Sequence, residues 1–527
     1  MMVHLERLVC VFWGLTVTSA FQPVAFLPCT ARCHSSTTSS RTHAAASLDT
    51  VLDELYTSFQ GVEKDMTKVC KVRVERTGTD RFGLVATQSL SKGDVVLAMP
   101  YDDMFMLTPD YVKKELMKGE IPDSYESWTG DNGFIALGIL NELARAAGVG
   151  GQEIPQRSAA LQTFFVAWVK ALPSPEDMNH PLLWSEEDQE ILQSSSTNKI
   201  YRRLDDLEDD FTWLMENVFA KNRERYPEKV ILGGVERPCF SIAGFTWAMA
   251  IAQSRSFFLD GKLRLFPYLD MCNHDDDAEE VRAGTMGTFG TTKGAKLVAS
   301  EKVAVGEEIF CSYGPKSAAD YLLEHGFCPP QCWKTAVSEV TFELDPEDRF
   351  YDDKLDILEF ETYDQAPMDP TQSFDLVSAP GRDGEPDPAL IQFLRLSQLG
   401  GTDAFLLESI FRKEVWGFME YPVSEQNELK VVNAITDACG RALEELQQAP
   451  DGGPEVCKLL REAETKALTR TVEFLQREKE ALDLKEYYQE RRLKDLGLDS
   501  DWSPEDDMDQ DLGFGQTRAP GGADYDW

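Results

Sequence analysis

The sequence predicts an α+β protein: a β-rich unit split by a helical insert and followed by an all-α module. Three observations predict it. Short β-branched runs separated by glycine turns occupy residues 72–100 and return between 265 and 327. Apolar residues at helical spacing fill the stretch between them, 104–236. From residue 346 onward the chain reads as mostly helical, with long helices at about 424–448 and 454–496.

The elements follow in order. Residues 8–17 form an apolar run of signal-peptide length, preceded by Arg7 and followed by Thr18, Ser19 and Ala20. Residues 21–48 are rich in Ser, Thr and Ala, carry Arg32 and Arg41, and lack Asp and Glu. A signal peptide, 1–20, followed by a transit-like segment, 21–48, resembles the two-part leader that targets secondary plastids. Secretion and a cytosolic location are the alternatives. A β-rich unit is expected over 70–330, with the insert at about 104–236. Within it, residues 245–258 read as a helix ending in Ser254, Arg255 and Ser256. A helical module is expected over 335–496, its last helix carrying an apolar stripe at Leu468, Val472, Leu475 and Leu482. Residues 497–527 read as an acidic, disordered tail.

Composition narrows the function. Of 527 residues, 52 are Lys or Arg and 91 are Asp or Glu, so the net charge is 52 − 91 = −39. Such a charge argues against a nucleic-acid binder, which needs a basic face, without excluding a local basic patch, and it discourages binding to anionic membranes. No apolar run reaches the ~18 residues that span a bilayer. The expectation is no nucleic acid, no membrane and a monomer. Eight cysteines follow the leader without the density of a disulfide framework. Cys328 and Cys332 have no further zinc ligands near them in sequence.

Four segments carry chemistry: residues 80–84, 254–257, 267–274 and 306–314. No nucleophile-elbow, phosphate-loop or zinc-protease motif accompanies them. After the leader only His180, His274 and His325 remain, too few for a histidine-rich metal site or triad. Asp275, Asp276 and Asp277 read as a solvated loop, and no metal site is expected.

Taken together, RLFPYLDMCNH (264–274), GEEIFCSYG (306–314), LLEHGF (322–327), FTWAMAIAQSRSF (245–257), HPLLW (180–184) and PVSEQNELKVV (422–432) resemble the SET-domain protein methyltransferases. The resemblance is to the plastid Rubisco large-subunit lysine methyltransferase-like branch, and covers about 70–490. It implies a pseudoknotted SET domain with a helical insert, a helical substrate-binding domain, and S-adenosyl-L-methionine as cofactor. It implies a protein substrate, with Rubisco large subunit or plastid aldolase as candidates. Residue by residue, it implies cofactor binding by Asp80, Arg81, Phe82, Arg255, Asp270, Asn273, His274 and Phe327. Gly83 would let the chain pass closely. Tyr313 matches the catalytic tyrosine, and Phe257 and His325 fall in the acceptor pocket.

These residue types suit the reaction. Methyl transfer from a sulfonium is an in-line displacement, so rate comes from alignment and from polar oxygens near the methyl group. A guanidinium fork fits a planar carboxylate. The sequence departs from the family at two points. His325 fills a slot that commonly holds tyrosine, and no tyrosine lies between His274 and Tyr313. The expected activity is protein-lysine N-methylation. Histidine N-methylation and a non-catalytic SET-fold binding module are the alternatives.

Overall fold

Strands from both sides of the insert pair within the same sheets. The computed structural model describes residues 38–495 except 79–80, 150–156, 193–195, 287–290, 361, 363–366, 377–383 and 450–451, with side chains from Asp49 onward apart from Trp333. The expected signal peptide, most of the transit-like segment, the acidic tail and Asp80 lie outside the described residues. Residues from Leu48 onward form one unit.

One four-stranded sheet has the order Val69–Cys70, Val95–Pro100, Thr292–Val298, Arg282–Met286, all antiparallel. The other has the order Val72–Arg76, Phe82–Ala86, Glu308–Cys311, Asn273–His274. Its last pair is parallel and the other two are antiparallel. In each sheet the central pairing joins a strand from before the insert to one from after it. Leu84, Leu97, Met99, Leu297 and Ile309 send their side chains into the core beside Ala86, and burying each of these five larger side chains adds roughly 1.5–3 kcal/mol.

The insert is built on Asp131–Ala146, Ala159–Ala171 and Lys199–Asn217. Ser158 starts the second of these, its hydroxyl accepting from the Leu161 amide at 3.2 Å. The helical texture expected up to Glu236 stops earlier. Lys229–Leu232 and Val235–Pro238 form a hairpin, because Gly233 and Gly234 take φ of 61° and 84° in a two-residue turn. The next helix is Ile242–Arg255, capped by Ser241, rather than 245–258. Phe257 and Phe258 instead enter a second hairpin, Phe257–Leu259 with Lys262–Arg264. Its Asp260-Gly261 turn has φ of 49° and 71°.

The C-terminal region is helical, with Pro388–Ser397, Glu425–Gln448 and Glu455–Glu480 as its main helices. It also carries one antiparallel strand pair, Glu339–Glu343 with Thr371–Asp375, whose alternation turns Val340, Phe342 and Phe374 toward the core. The last long helix stops at Glu480. Leu482 begins a short turn, and a separate helix follows at Tyr488–Asp495.

Candidate active site

The strand Glu308–Cys311 is the spine of the site. It lies between Phe82–Ala86 and Asn273–His274, with Ile309 opposite Leu84, Phe310 opposite Asn273 and Cys311 opposite His274. Two residues later comes Tyr313. Its backbone amide donates to His274 Nδ1 at 3.2 Å, and its hydroxyl donates to the Cys272 carbonyl at 2.9 Å. Since an amide only donates, His274 Nδ1 accepts, and Nε2 carries the hydrogen toward Asp276 Oδ1 at 3.0 Å. Burial pushes the Tyr313 phenol well above its usual range, so it stays neutral.

A second constellation ties Arg81 and the start of the strand Phe82–Ala86 to Asn273. Asn273 Nδ2 donates to the Phe82 carbonyl at 2.7 Å and to Glu308 Oε1 at 2.6 Å. Arg81 Nη2 donates to the same oxygen at 2.9 Å. A Cβ at residue 83 would overlap both Glu308 Oε1 and Asn273 Nδ2, so only glycine permits this approach. Glu308 is a site residue that sequence reasoning missed, although it sits inside the GEEIFCSYG segment.

Arg255 ends its helix and turns back on the loop. Its Nη1 donates to the Asp270 carbonyl at 3.0 Å and lies 3.5 Å from Asp270 Oδ2. The indole of Trp168 donates to that oxygen at 3.1 Å. The Asp270 carboxyl therefore faces inward, onto Trp168 and Arg255. Burial raises its pKa and the Arg255 guanidinium opposes the rise. Its Oδ1 has no hydrogen-bond partner. Trp168 was not singled out from the sequence.

The helix Ala318–His325 completes the site. Ser317 caps its start, accepting from the Asp320 amide at 3.0 Å, and Gly326 ends it at φ 77°. The His325 ring centroid lies 4.6 Å from that of Tyr313. Tyr321, four residues before His325, lies 4.9 Å from His274, and its hydroxyl donates to the Gly314 carbonyl at 2.7 Å. Phe327 lies 5.6 Å from His274. Tyr321 was also missed, although the i, i+4 spacing to His325 was there to be read.

Two cavities meet here. The larger, about 1940 Å³, is lined by Arg81, Phe82, Asn273, His274, Tyr321 and Phe327. The smaller, about 460 Å³, is lined by Trp128, Gln253, Ser256, Phe257 and Phe258. Arg255, Asp270, Tyr313 and His325 line both. All the cofactor residues expected from sequence within the described residues thus gather on the larger cavity, and Phe257 lies on the other side of Tyr313. The larger cavity suits S-adenosylmethionine in its donor set. Phe82, Tyr321 and Phe327 offer aromatic faces, Arg81 and Arg255 offer guanidinium donors, and Asn273 offers an amide.

Residues 81–314 match the SET domain model, and residues 345–482 match the model described as Rubisco LSMT substrate-binding. A chloroplastic ribulose-1,5 bisphosphate carboxylase/oxygenase large subunit N-methyltransferase of Nicotiana tabacum is 31% identical over 460 residues, 82% of this chain and 84% of that protein. A chloroplastic fructose-bisphosphate aldolase-lysine N-methyltransferase of Arabidopsis thaliana is 30% identical, covering 79% of this chain and 82% of its own. The actin-histidine N-methyltransferase of Mus musculus is 25% identical over 53% of this chain. Among solved structures, the SET domain of LSMT bound to lysine and AdoHcy superposes with a TM-score of 0.64 and 26% identity, over 87% of this chain and 98% of that one. Rubisco LSMT bound to AdoMet gives 0.63 and 27%, over 85% and 97%.

Proposed function

The chain belongs to the S-adenosylmethionine-dependent SET-domain protein-lysine N-methyltransferases of the Rubisco large-subunit type, and from that premise we propose that it methylates a lysine ε-amine of a plastid protein where its two cavities meet. The observation that carries this reading is Tyr313, which lines both cavities and is held at two atoms, by His274 and Cys272.

In this reading Arg81, Phe82, Asn273, His274 and Phe327 hold the cofactor from the larger cavity. Arg255 receives the cofactor carboxylate, and Asp270 keeps the guanidinium in place through the contacts at 3.0 and 3.5 Å. When bound, S-adenosylmethionine supplies a methyl group on a sulfonium sulfur. Tyr313 donates its O–H hydrogen bond to the Cys272 carbonyl, which leaves its oxygen lone pairs free to stabilise positive charge building on the methyl. Because the phenol stays neutral, it does this without adding a full charge. Phe257 and His325 line the acceptor side. A lysine enters as an ammonium with an ordinary pKa near 10.4, and desolvation between these rings favours the neutral amine that attacks.

The helical region that matches the substrate-binding model docks the protein substrate. Rubisco large subunit and fructose-bisphosphate aldolase, named for the tobacco and Arabidopsis relatives, are the first candidates. The leader, 1–48, carries the chain to the plastid.

The test is radiolabelled methyl transfer to plastid-extract protein, with calorimetric titration of S-adenosylmethionine and mass spectrometry of the labelled peptide. Tyr313→Phe should lower the rate by roughly 10²–10³ while cofactor affinity changes little. An unchanged rate refutes the role given to Tyr313, and label on histidine refutes lysine as acceptor. Cofactor binding with no transfer to any protein would favour a binding module.

A further inference from the structure

Buried polar atoms without partners are rare, and each asks for a reason. Four of them belong to residues that line the smaller cavity: Gln253 Oε1, Ser256 Oγ, Asp270 Oδ1 and His325 Nε2. The amide and carboxylate oxygens are acceptors, and the hydroxyl can accept as well as donate.

The state of His325 follows from its other nitrogen. Nδ1 lies 3.2 Å from the Ser254 carbonyl, which can only accept, so Nδ1 carries a hydrogen. Burial, aided by the neighbouring Lys316 ammonium, pushes the imidazole down to about 3, so the ring is neutral. Nε2 is then a bare lone pair. The ring is also gripped in place. Asn179 Nδ2 donates to the Gly326 carbonyl at 3.0 Å, and His180 Nε2 lies 3.1 Å from the Glu324 carbonyl. The backbone is therefore fixed on each side of His325.

Four groups that can each accept call for a ligand rich in donors. A primary ammonium carries three N–H bonds, whereas a neutral imidazole carries one. We infer that His325 Nε2 is the hydrogen-bond acceptor for the incoming alkylamine N–H, positioning the amine beside Tyr313 and selecting amines over imidazoles. This rests on the lysine methyltransferase reading and adds to it the residue that recognises the acceptor. The reaction itself is unchanged: the ammonium first loses a proton to water, the neutral amine nitrogen then forms the N–C bond, and the electron pair of the breaking S–C bond stays on sulfur, leaving a thioether and a methylammonium.

Two variants separate recognition from mere packing. In His325→Asn the side-chain amide stays close enough to donate to the Ser254 carbonyl, but no acceptor reaches the Nε2 position. In His325→Gln the carbonyl oxygen reaches that position. Methyl transfer to plastid-extract protein, titration of S-adenosylmethionine and thermal melting are measured for each. The expected result is a roughly 10–100-fold lower kcat/KM for His325→Asn, with His325→Gln restored to within about fivefold of the parent. Cofactor affinity should stay within about threefold for both. A His325→Asn rate equal to the parent, or a His325→Gln rate no better than His325→Asn, overturns the role of His325 and leaves the lysine reading standing. Parent enzyme that binds cofactor yet labels no lysine overturns both.

Discussion

Glu308→Ala tests how the cofactor side is organised. Glu308 Oε1 receives Asn273 Nδ2 at 2.6 Å and Arg81 Nη2 at 2.9 Å. The Arg81 side chain is 52% exposed, so its ion pair adds about 0–1 kcal/mol. The Asn273 bond to a 14%-exposed carboxylate dominates, at about 2 kcal/mol. Alanine leaves Asn273 with only the Phe82 carbonyl, at 2.7 Å, and frees it to turn from the cavity. If that whole amount is drawn from binding, affinity for S-adenosylmethionine falls about 30-fold, at about 1.4 kcal/mol per tenfold. Glu308→Gln keeps an oxygen for Asn273 and should cost only about threefold. Isothermal titration reads both. Alanine within twofold of the parent, or glutamine as weak as alanine, refutes the idea that Glu308 orients Asn273.

Other consequences concern stability. Glu464 accepts from the Ser196 hydroxyl, tying the last long helix to the insert, and burial raises its carboxyl to about 7 from an ordinary 4.5. The folded state thus prefers the protonated acid. Below pH 4.5 both states are protonated and there is no penalty. Stability then falls as pH rises from 4.5 to about 7, by about 3 kcal/mol in all. Glu464→Gln should remove that slope, and parallel thermal melts at pH 5 and pH 8 check it. Gly326→Ala places a Cβ against the Asn179 carbonyl at φ 77°, where an L-residue already costs about 1–2 kcal/mol. The expected outcome is a lower denaturant midpoint together with weaker cofactor binding, since Phe327 is the next residue. Alanine that melts like the parent contradicts this account of the cap.

Much of the site was legible because its chemistry lies in short runs. Asn273 and His274 are adjacent, and Tyr313 follows its strand by two residues. Serine caps at Ser158, Ser241, Ser317 and Ser424 announce their helices locally. The misses share a different cause. The helix 245–258 was drawn too far because Phe257 and Phe258 continue the apolar pattern, while the Asp260-Gly261 turn pairs them as a strand. The Gly233-Gly234 hairpin was absorbed into the insert for the same reason. Glu308 lies within GEEIFCSYG, but only the fold brings Arg81, 227 positions away, and Asn273, 35 away, onto its carboxylate.

Periodicity, capping and turn residues act over a few positions, so the α+β class and the order of its parts are readable along the chain, while the chemistry is read from the resemblance of short motifs to a known family. The tertiary structure alone decided which polar atoms are paired. Trp168 reaches Asp270 across 102 residues, Asn179 and His180 grip the helix end that carries His325, and Tyr313 falls between two cavities rather than in one. Those outcomes depend on strand register and helix packing. A hydrogen bond needs its atoms about 3 Å apart, and no local rule brings distant positions that close.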